Sequence, residues 1–244
     1  MVKGLEKVIR FDVKGTIKTG YKTVDAHCPI CKKDIKAIKP YDNFICPVCG
    51  KIVTPASGAK EGLKSTPFFI LPMDIKEKLG KPASLNVIPT YRKIEQTFPT
   101  SYAKYAGNKM IFCSGDGEIA KRYDKNARGK IEMPCSPDTC PDKLNNTCKL
   151  TATFYIILPD IDMFNAYKII PKSPQSIINI ASTLNKLKGT DGIINRTICE
   201  LKIVEQKRKD TGTIYYILQL IPPAVSLNEI KGIKDLHAAM LIEQ

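Results

Sequence analysis

Cysteine spacing constrains this 244-residue chain more than any other feature, because eight of its nine Cys fall into two groups. The first group is Cys28-Pro-Ile-Cys31 and Cys46-Pro-Val-Cys49-Gly50, with 14 residues between the pairs. Each C-x-x-C turns two thiolates onto one ion, and four thiolates close a tetrahedral zinc site. Gly50 permits the tight turn of the second knuckle. Ile35, Ile38 and Phe44 in the insert are enough for a small core, so the spacing predicts a zinc ribbon. A redox dithiol is the competing reading, but it lacks a βαβ frame and does not need two matched pairs. His27 adjoins Cys28; with four Cys available it is read as a bystander or a hydrogen-bond partner of a ligand. A closed four-thiolate site has no open coordination position, which makes it structural.

The second group is Cys113, Cys135, Cys140 and Cys148, with gaps of 21, 4 and 7 residues that match no standard ribbon. Residues 114–149 hold little apolar material and many turn residues. Such a segment cannot build a core alone, and a bound metal would organise it. Zinc is the first expectation there, which makes two ions in all, and an iron–sulfur cluster is the other reading. Cys199 lies in an apolar run and reads as a small buried hydrophobe. Nine is an odd count, and the N-terminus carries no signal-peptide core, so a disulfide framework is not expected.

The coarse pattern is α+β: a largely antiparallel sheet with packed helices, plus the N-terminal zinc ribbon and the second Cys-rich, metal-organised segment. Residues 1–60 are read as an N-terminal strand and ribbon module, with a turn at Gly15. Residues 54–66 read as a linker. Residues 61–244 form the α+β core, with 113–148 as an insertion. Strands are expected at 67–72, 85–89, 109–112, 151–158, 166–170, 198–204 and 214–221. A helical turn is expected at 74–79 and a short helix over 98–106. Ser173 caps a helix that opens at Pro174, with Ile177, Ile178, Ala181, Leu184 and Leu187 at helical spacing. Asp210, Thr211 and Gly212 mark a hairpin turn, and Ser226 caps a final amphipathic helix to about Ile242.

The chain is basic: 38 Lys and Arg against 24 Asp and Glu give a net charge of +14. Half of that excess lies in residues 1–60, which carry 12 basic and 5 acidic residues. A basic quarter of this kind suits a polyanion or an acidic partner, and it suits equally a Lys-rich solvated surface. No apolar run reaches the roughly 18 residues of a membrane helix, so no membrane partner is expected.

Enzyme signatures are missing. There is no P-loop, no G-x-S-x-G and no dinucleotide fingerprint, and two distant His do not make a hydrolytic zinc site. Ser114-Gly-Asp116-Gly-Glu118 could hold Mg²⁺, but a polar turn after a Cys explains it more simply. Pro159-Asp160-Ile161-Asp162 reads as a strand-ending turn. Tyr91, Tyr102 and Tyr105 could stack bases, though packing against a sheet is favoured.

One resemblance lies in the order of several short motifs. Met110-Ile-Phe-Cys113-Ser-Gly-Asp116-Gly117 precedes Pro134-Cys135-Ser-Pro-Asp-Thr-Cys140-Pro141. Cys148-Lys-Leu follows, then Tyr155-Ile-Ile-Leu158-Pro159-Asp160, then a strand and the helix near Pro174. Over roughly residues 65–190 this order resembles the recombination directionality factors of phages that use large serine integrases. On that resemblance Cys113, Cys135, Cys140 and Cys148 match the family's cysteines, and Asp116-Gly117 and Leu158-Pro159-Asp160 match its turns. Two features depart from the pattern. The chain has no Trp ahead of its first matching Cys, and the ribbon at 28–49 lies outside the matched order.

The resemblance implies a non-enzymatic accessory protein. It would bind a large serine integrase on attachment-site DNA and switch it from attP × attB integration to attL × attR excision. The implied setting is the cytoplasm of a bacterial host, with the gene on a prophage or mobile element. Direct DNA contact through the basic N-terminal quarter would be compatible with that role. The alternative is a stand-alone zinc-containing nucleic-acid-binding regulator of transcription or replication.

Overall fold

The computed structural model describes residues 11–38, 45–53, 61–106, 110–188, 194–195 and 197–223. The final helix expected from Ser226 lies outside those residues, as does Phe44. The chain forms a mixed α+β fold built mostly from strands. Its elements run β1 (Val13–His27), β2 (Asp34–Ile38), β3 (Glu61–Ile70), α1 (Met73–Leu79), β4 (Ser84–Pro89), α2 (Ile94–Thr97), β5 (Thr100–Ala106) and β6 (Met110–Gly115). They continue with β7 (Ile119–Asp124), β8 (Gly129–Pro134), α3 (Pro141–Leu144), β9 (Cys148–Ala152), β10 (Phe154–Leu158), β11 (Asp162–Ile169), α4 (Pro174–Leu187), β12 (Cys199–Lys207) and β13 (Ile214–Ile221).

The larger sheet has eight strands in the order β13-β12-β4-β10-β11-β1-β2, with β3 also paired to β1. Its pairings are antiparallel except β1 against β11, which is parallel over Val13–Ile17 and Ala166–Ile169. β3 also lies against β12 and β13, so the sheet curls back on itself. Alternation explains the buried face: Leu85 and Val87 on β4, Cys199, Leu201 and Ile203 on β12, and Leu218 and Leu220 on β13 all point inward. β10 buries Phe154, Ile156, Ile157 and Leu158 almost without interruption, as befits a strand deep in the sheet.

α4 begins as the sequence requires. The Ser173 hydroxyl accepts the Ser176 N–H at 3.1 Å, and Pro174 occupies the first helical turn. Ile177, Ile180 and Leu184 form its buried stripe. Ile178 points outward instead, because the helical period puts Ile180, one turn on from Ile177, against the sheet. α4 also closes a sheet edge. β13 is the last strand, and its Leu218 N–H donates to the Ser176 hydroxyl at 2.9 Å. The Thr183 hydroxyl donates to the Leu220 carbonyl at 2.9 Å. Backbone groups that would otherwise face outward are thereby satisfied.

The second sheet is a five-stranded antiparallel meander, β8-β7-β6-β5-β9. Residues 113–148, expected to be a metal-organised insertion, include the end of β6 and all of β7 and β8. β5 replaces the short helix expected at 98–106. Tyr102, Ala103 and Tyr105 suit a pleated surface, with Ala103 buried, and β5 pairs on both sides with β6 and β9. The strand expected at 151–158 is divided. Thr153 separates β9 of the small sheet from β10 of the large one, and its N–H donates to the Pro99 carbonyl at 3.1 Å. At this junction Phe98 and Phe154, both buried, meet edge to face with centroids 5.5 Å apart.

Two further expectations change. Residues 61–66, read as linker, belong to β3 and pair with β1; residues 54–60 lie outside the described residues. Gly15 is not a turn but sits inside β1 at a register shift. A Cβ there would meet Pro72 Cγ at 2.8 Å, so close approach of the chain ahead of α1 is what excludes a side chain. The hairpin turn at Asp210–Gly212 is present, with Gly212 at φ 67°.

Candidate metal centre

The four ribbon sulfurs converge. Cys28 Sγ stands 3.6 Å from Cys49 Sγ, and Cys31 Sγ stands 3.7 Å from Cys46 Sγ. All four lie within 4.8 Å of one another. A tetrahedral ion with bonds of about 2.3 Å sets its sulfurs about 3.8 Å apart, so the arrangement could hold a metal ion.

Two matching turns produce it. In the first, Lys32 N–H donates to the Cys28 carbonyl at 2.9 Å, and Cys28 N–H to the Lys33 carbonyl at 3.0 Å. In the second, Gly50 N–H donates to the Cys46 carbonyl at 2.9 Å, and Cys46 N–H to the Lys51 carbonyl at 2.8 Å. Both turns need a left-handed residue at the same place: Gly50 at φ 71° and Lys32 at φ 58°. Lysine is strained there and glycine is not. Lys32→Gly is expected to stabilise the loaded ribbon by about 0.5–1 kcal/mol, after the extra freedom it gives the unfolded chain. Chelator competition should then show about two- to fivefold tighter metal retention.

The thiols are not equivalent. The Cys31 backbone N–H, aided by that of Ile30, holds Cys28 down at about 6. The Lys33 N–H favours a thiolate at Cys31, yet burial and the Cys28 sulfur outweigh it and push Cys31 up to about 11. A divalent cation removes that conflict by neutralising the thiolates together. The core beneath is small: Ala26, Cys28, Ile35, Cys46 and Val53. His27 stands outside the converging set. Its Nδ1 pairs with Asp34 Oδ1 at 2.9 Å across the β1–β2 ladder.

The second four cysteines line one cavity of about 280 Å³ in the small sheet. Cys113 comes from β6 and Cys148 from β9, while Cys135 and Cys140 come from the segment between β8 and α3. Among the described residues the tight four-sulfur spacing occurs in the ribbon and not here. Burial raises the Cys113 and Cys148 thiols, and the neighbouring cysteines of the set raise them further. Gly115 makes room for this arrangement: a Cβ there would lie 2.7 Å from Cys135 Sγ and 2.8 Å from the Ile119 carbonyl.

Asp142 ties the rim. It accepts from Lys104 Nζ at 2.6 Å and from Arg122 at 3.1 Å, and those two cations also stand over the Phe112 ring. The Lys104 hydrogen bond, chiefly, holds the Asp142 carboxyl below its usual range. A depressed folded value means the stabilisation is complete above the unfolded value of about 3.9 and is lost as pH falls through the folded one. Asp142→Asn is therefore expected to lower stability by about 1–3 kcal/mol at pH 7. Thermal melts of the two proteins should begin to draw together as pH falls below about 4.

The remaining candidates resolve structurally. Asp116 Oδ1 accepts the Glu118 and Ile119 N–H groups at 2.8 and 2.9 Å, so it shapes the β6–β7 turn. Asp160 accepts from Asn86, and Asp162 orders the Phe164 turn. Tyr91 packs edge to face on Tyr155, and Tyr102 lies under Lys143. Cys199 is buried, and burial pushes its thiol up to about 11.

A feature the spacing did not reveal is the outward face of the ribbon. Ile30 and Val48, the residues before the second Cys of each knuckle, are 63% and 50% exposed. Ile45 and Ile52, joined by an isolated bridge, are exposed as well. The repeated Pro-Ile and Pro-Val inside the knuckles was the available signal.

Comparison with known protein families settles the relationship. The family model described as Gp3-like, recombination directionality factor-like, matches residues 15–223. The chain belongs to this recombination directionality factor-like family. The match includes both cysteine sets and both sheets. No curated protein and no solved structure matches the chain. Membership associates this directionality factor-like protein with a recombinase. Among the described residues, no helix is long and apolar enough to cross a membrane.

Proposed function

We propose that this protein is the directionality factor of a large serine integrase, and that it acts without catalysis of its own. The observation that carries the reading is the family match over residues 15–223. In this reading the protein binds integrase on attachment-site DNA and favours attL × attR over attP × attB. The work required is a difference in binding energy between two arrangements of the integrase. Moving a preference from 1:99 to 99:1 takes about 5.5 kcal/mol. A few buried apolar anchors can supply that, and the exposed Ile30, Ile45, Val48 and Ile52 of the ribbon provide such anchors. Zinc in the ribbon would then hold the contact surface in shape without entering any reaction.

The decisive experiment is recombination in vitro with the integrase encoded nearest the gene. Both reactions are scored with and without the protein. The expected result is that attL × attR turns on and attP × attB is suppressed. No response from an active integrase would overturn the reading. Replacing Ile30 and Val48 together by Ser should weaken capture of the integrase by about tenfold or more, with the thermal midpoint unchanged.

The net charge of +14 supports a second reading, a nucleic-acid-binding regulator that works alone. Tight, strongly salt-dependent binding to DNA or RNA without integrase would favour it.

A further inference from the structure

Strand pairing fixes how far apart two of the second-set cysteines stand. Lys104 on β5 is opposite Cys113 on β6 and opposite Cys148 on β9. Neighbouring strands are about 4.8 Å apart, so the Cys113 and Cys148 backbones are separated by about 10 Å. Directly opposed residues share a sheet face, which puts the Lys104 stem between the two thiols. Arg122 on β7 extends the same row, opposite Cys113. A single ion would need these thiols at about 3.8 Å, lying flat across Lys104. Cys135 and Cys140 face the same cavity, and no three sulfurs of the set lie within 4.8 Å of one another. The ribbon shows what four thiols arranged for one ion look like in this chain. The second set has the same ligand chemistry around a wider space.

We propose that this cavity holds an iron–sulfur cluster, with Cys113, Cys135, Cys140 and Cys148 as its four ligands. A cluster interposes several iron and sulfide atoms between its thiolates, so the ligands stand further apart than around one ion. Each thiol gives up its proton as it binds iron, leaving a site with net negative charge. Lys104 and Arg122 stand beside the ligands to offset it, and Asp142 fixes both in place. The inference is independent of the integrase reading, because it rests on register and spacing alone.

The test uses the full chain, purified without oxygen and reconstituted with ferric iron, a thiol reductant and sulfide. Iron and acid-labile sulfide are expected in equal amounts, with a visible charge-transfer band that dithionite bleaches. Replacing Cys113 and Cys148 together by Ser should lower iron content and colour by tenfold or more while zinc stays in the ribbon. Replacing Cys28 and Cys31 by Ser should remove zinc and leave the colour. Two outcomes overturn the proposal. One is a second zinc per chain in an all-sulfur shell, seen by X-ray absorption, with no iron. The other is wild-type protein that retains ribbon zinc and takes up no iron on reconstitution.

Discussion

Cys46→Ser is expected to unfold the ribbon. The variant loses one of the two fully buried cysteines of the set, and three thiols would no longer close a tetrahedral shell. Structural zinc contributes about 10–16 kcal/mol of apparent binding energy in small modules of this type. Among the described residues of the ribbon little could replace that, since the core there is Ala26, Cys28, Ile35, Cys46 and Val53. A strong chelator should act in the same way on the unmodified protein. Limited proteolysis checks both: new cleavage is expected within residues 28–53, with the large sheet still protected. Acid should mimic the effect, because every ligand must be a thiolate to hold the metal. Release is expected as pH falls, because protons compete with the metal for all four thiolates. Unchanged cleavage in the metal-free protein would show that the ribbon is held by something other than its metal.

Phe154→Ala should be the most damaging change in the body of the protein. Phe154 is completely buried, begins β10, and packs edge to face on Phe98 where the two sheets meet. Truncation of a buried Phe costs about 3–5 kcal/mol, including the void it leaves. For a chain of this size that lowers the melting midpoint by roughly 6–20 °C. The site cannot collapse to compensate. The Thr153 N–H to Pro99 bond and the Thr100–Ala152 pairing fix the backbone on either side of the void. Phe154→Leu, which refills most of the volume, should recover much of the loss. A melt of Phe154→Ala within a degree or two of the original would mean the aromatic pair does not hold the sheets together.

How much of this was legible beforehand depended on whether the cause was local. The ribbon was legible because a C-x-x-C knuckle is specified within a few residues, and Gly50 announced its backbone. Its twin at Lys32 was hidden, since lysine gives no sign of a left-handed conformation. α4 was legible from Ser173, Pro174 and its period, although the period alone did not choose Ile180 over Ile178. The β12–β13 hairpin was legible from Asp210–Gly212. Non-local pairing was not. Residues 100–106 read as helix because nothing nearby tells Tyr102 and Tyr105 that β6 and β9 will flank them. The strand at 151–158 read as one piece because Thr153 is an ordinary strand residue, and only the topology makes it a change of sheet. Of the small sheet, β6 was legible in the strand expected at 109–112 and part of β9 in that at 151–158, whereas β7 and β8 were missed because their apolar residues are few and their order comes from a meander. The resemblance to directionality factors was legible in motif order, and the family match extends it to both sides.

β1 runs 15 residues without a break. Its first residues pair with β11 in the large sheet, and its last five pair with β2 beside the cysteine knuckles. At about 3.3 Å per residue it spans roughly 50 Å. Mechanically it is a drive shaft. A tug on the knuckles has no slack loop in which to dissipate, and it loads the β1–β11 ladder in shear, where several hydrogen bonds must give way together. Force applied at the knuckles is carried along β1 into the large sheet and not absorbed between them.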